Sequence, residues 1–339
     1  MPTPELDIGL VIAGHGRHYI VETPEGREIK CSPRGKKSQL VVGDRVRWQP
    51  TDTLGNEGVI EAMEPRTNLL YRQDEWKTKS FAANLDRLLI LVAAEPVFSE
   101  SQLARALIAA EQARIKVSIL LNKIDLVESA QLARERLAPY VKMGYDVIEV
   151  AIKARPDETR ARLTDLLATG STLVLGPSGT GKSTLVNLLG LDAAAPVREI
   201  SVALNSGRHT TTHTRWYWLD DAHQGALIDS PGFQEFGLRH IPVEDLAAWM
   251  PDLSPYLGHC RFANCSHDHE PGCAVLAALA RGDGRGAIST ERDDVAEPGE
   301  VEDLFHGRLQ AADGETDAAG LGGTEIGRAS CRERVSSPV

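Results

Sequence analysis

Gly176-Pro177-Ser178-Gly179-Thr180-Gly181-Lys182-Ser183 is the stretch on which the reading of this chain turns. It stands between an apolar run at 172–175 and a segment of helical spacing at 182–189, so it matches a phosphate-binding loop at a strand-to-helix junction. The glycines let the backbone curl until its N–H groups converge on a β-phosphate at a helix N-terminus, where the helix dipole also favours negative charge. Lys182 would reach the β- and γ-phosphates, the Ser183 hydroxyl would ligate magnesium, and Thr184 completes the set as the next helical residue. The bland alternative is a glycine-rich turn opening an ordinary helix. A complete pattern in this context argues against it.

Asn122-Lys123-Ile124-Asp125 follows the apolar run 117–121. A carboxylate at Asp125 can accept hydrogen bonds from both the ring N–H and the exocyclic amine of guanine. Adenine offers no such pair, and the unpaired carboxylate left behind is the penalty for the wrong base. Asn122 would brace the loop and the Lys123 stem would cover the base. Further on, Asp229-Ser230-Pro231-Gly232 follows the run 226–228. Asp229 would hold magnesium through water, and the Gly232 N–H would meet the γ-phosphate. Gly207-Arg208-His209-Thr210-Thr211-Thr212 supplies hydroxyls for the same ion, and Thr211 is taken as the ligand among the three. Phe233 stands where many GTPases carry a glutamine that orients the attacking water, a task an apolar ring cannot perform. His209 becomes the candidate for that task, beside Lys182 and Thr211 in the catalytic set. Its other reading is packing or RNA contact. Ordinary GTPases place the phosphate loop first and the guanine-reading loop late. Here the order is reversed, so the domain is circularly permuted.

Outward from this centre the texture changes twice. Residues 8–70 hold short strand-like segments at 9–13, 19–21, 39–42, 45–48 and 57–60, separated by Gly, Pro, Asp and Asn, which predicts a small all-β barrel. From 85 to 240, apolar runs at 88–94, 117–121, 147–150, 172–175 and 226–228 alternate with helical stretches, which predicts a parallel sheet with helices on its faces. From 241 to 292, short helical stretches surround Cys260, Cys265 and Cys273. With His267 these make three thiolates and an imidazole, a closed tetrahedral set suited to one structural zinc per chain. His269 is the runner-up nitrogen. No internal repeat is present.

The 339 residues are 42% hydrophobic and 25% charged, which excludes disordered, collagenous and disulfide-scaffold classes. Apolar runs such as 88–94 reach seven residues where a membrane-spanning helix needs about 20, and the N-terminus has no secretion-signal pattern. A cytoplasmic monomer without membrane contact is expected. The net charge of −11 is mostly tail, since residues 291–339 hold twelve acids against five arginines. Residues 27–47 carry a local positive excess in which Arg34, Lys36 and Lys37 are candidate RNA contacts. The stretch 326–335 resembles the translation of a sequencing-library adapter, and nothing is assigned after about 292.

Taken together, 8–292 resembles the ribosome small-subunit-dependent GTPase A family (RsgA, also called YjeQ), in barrel, permuted GTPase and zinc cluster alike. The resemblance implies an OB-like barrel at 1–70, an α/β P-loop GTPase domain at 71–240 and a zinc-binding helical domain at 241–292; residues 293–339, which lack helical periodicity, read as an aberrant or disordered tail. It implies a factor that binds the small ribosomal subunit and its rRNA during late maturation, and hydrolyses GTP to GDP when stimulated there. Expected guanine-nucleotide contacts are Asn122, Lys123, Asp125, Gly176, Pro177, Ser178, Gly179, Thr180, Gly181, Lys182, Ser183, Thr184, Asp229 and Gly232. Magnesium falls to Ser183, Thr211 and Asp229. The family's guanine-supporting Ser-Ala appears here as Ala151-Ile152, and because that contact is largely a backbone N–H, Ala151 keeps the role with weakened support. The family's helix after the zinc segment is not recognisable beyond Asp293. Two other readings stand beside this one: an RNA-binding assembly module whose nucleotide is a structural ligand, and a P-loop ATPase, which Asp125 disfavours.

Overall fold

Alternation of buried and less buried residues, the period of a half-buried sheet, runs through the N-terminal strands β1 (Asp7–His15), β2 (His18–Glu22), β3 (Glu28–Pro33), β4 (Arg45–Pro50) and β5 (Glu57–Met63), broken in β1 where Val11, Ile12 and Ala13 are buried in succession at a register shift. The structure is a computed structural model that describes residues 6–35, 39–53, 55–73, 78–191, 214–231, 233, 236–267 and 270–281. The strands pair in the order β1-β2-β3-β5-β4, and β4 returns to β1, so the ring closes as an OB-like barrel. Val21, Ile29, Cys31, Trp48 and Ile60 fill it.

One expected strand is absent and another takes its place. Residues 39–42 turn instead, because the Val41 N–H donates to Asp44 Oδ2 at 2.8 Å and Gly43 adopts φ 91°. The strand lies at Glu28–Pro33, where buried Ile29 and Cys31 flank an exposed Lys30. Lys30, the one basic residue of that strand, belongs to the outward half of its pattern.

A hairpin not foreseen in the sequence, β6 (Leu69–Gln73) and β7 (Thr78–Ala83), leads from the barrel. Then β8 (Arg87–Ala93), α1 (Glu100–Gln112), β9 (Lys116–Asn122), α2 (Val127–Lys142), β10 (Asp146–Glu149), α3 (Pro156–Leu167), β11 (Gly170–Leu175) and α4 (Lys182–Leu188) alternate as expected. They are followed by β12 (Arg215–Trp218), also unforeseen, and β13 (Gly225–Asp229). The strand order β10-β9-β8-β11-β13 is parallel throughout. Leu88, Ile90 and Val92 of β8 pack with α1 and α2 on one face, while Leu89 and Leu91 pack with α3 and α4 on the other. Burial on both faces is why these strands read as unbroken apolar runs. From β8 the chain steps outward to β9 and β10, and α3 then carries it back to β11 on β8's other side. Such a reversal opens a crevice at the carboxyl ends of the strands.

Antiparallel β12 pairs with β13, and its Arg215 stands opposite Ala13 of β1, so one 11-stranded sheet runs from the GTPase half into the barrel. Beyond it come 3-10 turns at Val243–Trp249 and Ser254–Tyr256 and then α5 (Ala274–Arg281). Leu246, Leu253, Val275 and Leu279 join the same core cluster as Leu103 and Leu107 of α1. Among the described residues no helix is long and apolar enough to cross a membrane.

The barrel is locked to the GTPase half at Val42 and Gly43, next to a buried ion pair within the barrel. Asp44 is fully buried and accepts from Arg66 at 2.6 and 2.8 Å. The Ala83 N–H donates to the Val42 carbonyl at 2.9 Å, and Asn84 Nδ2 to the Gly43 carbonyl at 2.8 Å. A Cβ at Gly43 would lie 2.1 Å from the Ala83 carbonyl oxygen, whereas one at Gly16, also at positive φ, would meet nothing. Gly16→Ala is therefore expected to cost about 1 kcal/mol and Gly43→Ala about 3 kcal/mol or more. Urea unfolding followed by circular dichroism measures both, and equal midpoints would refute the close approach.

Candidate functional site

The phosphate loop leaves the C-terminal end of β11 and enters α4 at Gly181, whose φ of 105° is open to glycine and strained for other residues. A side chain there would also put Cβ 2.4 Å from Asn122 Nδ2. Asn122 ends β9 and is buried. Its Nδ2 donates to the Thr180 carbonyl at 2.8 Å, and its Oδ1 accepts from the Ile152 N–H at 3.0 Å. One amide thus joins the phosphate loop, the Asn-Lys-Ile-Asp loop and the loop after β10.

Around that junction lies a cavity of about 590 Å³. Asn122, Lys123 and Asp125 line it from one side, and Gly176, Pro177, Ser178, Gly179, Gly181, Lys182, Ser183 and Thr184 from another. Leu126, Ile152, Lys153, Pro231 and Phe233 complete the wall. Asp125 is exposed at the rim. Lys123, at φ 64°, donates from Nζ to the Glu95 carbonyl at 2.6 Å. Thr180 is buried under the loop, its Oγ1 donating to the Pro177 carbonyl at 2.9 Å. Ala151 is buried too, and its neighbours Ile152 and Lys153 face the cavity in its stead. Leu126, Ile152, Lys153 and Pro231 were not anticipated as wall residues. Each lies within or beside a recognised motif, which is the signal that could have found them.

Asp229 ends β13, nearly buried, with Lys182 Nζ 2.5 Å from its Oδ1. The next residue, Ser230, has its hydroxyl 2.8 Å from that of Thr214. Phe233 is buried, with its ring centroid 6.0 Å from that of Phe236, so it faces the cavity as an apolar wall. His209, Thr211, Gly232, His269, Lys36 and Lys37 lie outside the described residues. Arg34 is described, largely exposed, and paired with Glu61 at 2.7 Å.

Away from this cavity, Cys260, Cys265, His267 and Cys273 bring four donor atoms within 4.8 Å of one another. His267 Nδ1 is 3.5 Å from both Cys260 Sγ and Cys273 Sγ, and those two sulfurs are 3.9 Å apart. A tetrahedral zinc ion, with bonds of about 2.3 Å to sulfur and 2.0 Å to nitrogen, sets sulfurs about 3.8 Å apart and sulfur to nitrogen about 3.5 Å. The distances fit that ion and are far too long for a disulfide. Burial pushes the Cys265 thiol up to about 12 and raises Cys273. At Cys260 burial also opposes the thiolate, but the Ala274 N–H at 3.4 Å and neighbouring donors outweigh it and the thiol falls. His267 stands at φ 63°, its imidazole held toward the neutral form by burial, as a metal ligand requires.

Residues 63–239 match the family model described as RsgA GTPase. A Variovorax paradoxus protein named small ribosomal subunit biogenesis GTPase RsgA is 59% identical over 84% of this chain and 88% of its own length. A Burkholderia pseudomallei protein of the same name is 58% identical over 81% and 86%. Among solved structures, YjeQ from Thermotoga maritima superimposes with a TM-score of 0.63 at 26% identity, covering 90% of this chain and 99% of that one. YloQ, described as a circularly permuted GTPase, gives 0.62 at 24% identity over 92% and 96%, and shares the fold.

The donor geometry predicts one zinc per chain in protein purified without chelator. Cys265→Ser or Cys273→Ser is expected to release it and to open 241–281 to proteolysis. Elemental analysis of wild type and variants checks this, and zinc-free wild type would refute it.

Proposed function

The chain belongs to the RsgA GTPase family, and from that premise we propose that it binds the small ribosomal subunit late in its maturation and hydrolyses GTP when the subunit stimulates it. The observation that carries the reading is the Asn122 amide, which gathers three loops around one cavity at the sheet's switch point. That cavity has the parts a guanine nucleotide needs. Backbone N–H groups of Gly179 to Lys182 would cradle the phosphates at the start of α4. Lys182, now bonded to Asp229, would turn to the β- and γ-phosphates, leaving the Asp229 carboxylate for the magnesium shell alongside Ser183 and Thr211. Magnesium, when bound with GTP, neutralises charge that builds on the phosphate oxygens. Asp125 would take both guanine N–H donors at the rim, with Lys123 and Lys153 beside the base. The Cys3His cluster would hold structural zinc, and Arg34, Lys36 and Lys37 would contact rRNA. A cytoplasmic monomer fits this role.

Phe233 favours one rival. Its buried apolar ring stands where a water-orienting amide would serve, as expected of a module whose nucleotide is structural. GTP turnover with and without purified small subunits decides between them. Strong stimulation supports the GTPase, with His209 as the candidate water-positioning group. Equal low rates support the module.

Asp125→Asn exchanges an acceptor for a donor and is expected to shift preference from guanine toward xanthine nucleotides by ~10-fold or more. Competition binding measures it. Retained GTP preference would remove Asp125 from base recognition.

A further inference from the structure

The β6–β7 hairpin belongs to neither the phosphate loop nor the guanine loop, yet it closes on the segment that follows Asp229. The Gln73 N–H donates to the Gly237 carbonyl at 3.0 Å, and the Arg239 N–H donates to the Gln73 carbonyl at 3.2 Å. These bonds frame a parallel bridge between Gln73 and Leu238. Phe81 of β7 stacks on Phe236 with centroids 5.6 Å apart and planes 9° from parallel. Tyr71 of β6 lies against His240 at 4.3 Å. The segment is thereby held along the hairpin at its far end by backbone and rings.

Its near end is held by a charge. Lys79 of β7 donates from Nζ to the carbonyl of Pro231, a wall residue of the nucleotide cavity. The two residues are 152 apart in sequence. The ammonium also sits 5.3 Å from the Phe81 ring centroid. Burial lowers the Lys79 pKa first, and the positive charges of Arg72 and Lys182 lower it further, so this lysine shares an electrostatic neighbourhood with the phosphate-loop lysine.

A peptide unit is planar, so an ammonium bonded to the Pro231 carbonyl restrains the direction in which that carbonyl points. A charge-assisted hydrogen bond does this about twice as strongly as a neutral one. A second cation near Lys182 also raises the positive potential where the last phosphate of a triphosphate would lie, and a diphosphate gains less from it. We propose that Lys79 is a positioning residue for the terminal phosphate, holding Pro231 in the wall of the cavity and favouring triphosphate over diphosphate. This rests on the GTP reading of the site.

The test uses the full chain and two fluorescent ligands, GDP and a non-hydrolysable GTP analogue, with Lys79→Gln, Lys79→Met and Lys79→Arg. Gln keeps a neutral donor for the carbonyl, Met removes it, and Arg keeps the charge. The expected result for Gln and Met is about tenfold weaker binding of the GTP analogue with GDP affinity unchanged within about twofold. Arg recovers most of the ratio. If the Met variant fails to fold, the Gln variant alone decides. A lysine that only braces the hairpin would lower thermal stability and weaken both nucleotides alike, and that outcome, or an unchanged ratio, overturns the inference. Wild-type protein that binds neither nucleotide would overturn the GTP reading itself.

Discussion

The side-chain amide of Asn122 is the tie on which the nucleotide site depends. Its two hydrogen bonds satisfy the Thr180 carbonyl and the Ile152 N–H at buried positions, where an unpaired backbone group costs about 1–3 kcal/mol. Losing the amide would therefore loosen two loops at once. Gly181 has to be bare because the amide occupies the space a Cβ would take. The same tie explains why the reversed order of motifs along the chain does no harm. What the site needs is that the ends of β9, β10 and β11 lie near one another. The sheet order supplies that nearness, whichever strand the chain visits first.

Much of this was legible in the sequence because its signals are local. The phosphate loop, the Asn-Lys-Ile-Asp turn and the cysteine cluster are short segments whose chemistry demands fixed residue types at fixed spacing. The apolar runs of β8, β9 and β11 are equally plain, since both faces of each strand are covered. What escaped was structure that rests on distant partners. In β3, the alternation of Ile29, Lys30 and Cys31 was masked by the charge of its outer residues. Residues 39–42 look like a strand by composition, and only the bond from the Val41 N–H to Asp44 shows a turn. The four residues of β12 carry Arg215, Trp216, Tyr217 and Trp218, a pattern too short to register before its neighbours β1 and β13 are known. Lys79 had no local signal at all, because its partner Pro231 is reached only through the fold.

The zinc cluster and the hairpin solve one problem in two ways. Each must hold irregular chain against the same apolar cluster, where backbone groups lacking a ladder need other partners. At 260–273, Cys260, Cys265, His267 and Cys273 converge on one point, and α5 begins directly after Cys273. At 236–239, ladder bonds from Gln73 and the ring stack on Phe81 serve instead. Both segments pack on the face of the sheet covered by α1, and Phe233, Phe236, Leu253 and Val275 share its core.

Barrel and nucleotide site are not beads on a linker. Register places Ala13 of β1 opposite Arg215, Arg215 opposite Asp229, and Asp229 opposite Val174, so a single cross-strand row runs from the barrel to the strand beneath the phosphate loop. Trp218 Nε1 donates to Glu22 at 2.7 Å, and Arg215 pairs with Glu28 at 3.5 Å, which brace the same seam with side chains. Turning the barrel relative to Asp229 would break those ladder bonds. Barrel and parallel sheet are therefore one hydrogen-bonded frame as far as Asp229, and movement at the cavity falls to chain outside the ladder. The phosphate loop, the loops after β9 and β10 and the described residues from Ser230 onward are such chain, and the last of these is held by Lys79 and the β6–β7 hairpin. The hairpin itself descends directly from the barrel at Leu69. Its grip on Pro231 thus links the chain that leaves the barrel to the wall of the cavity outside the sheet.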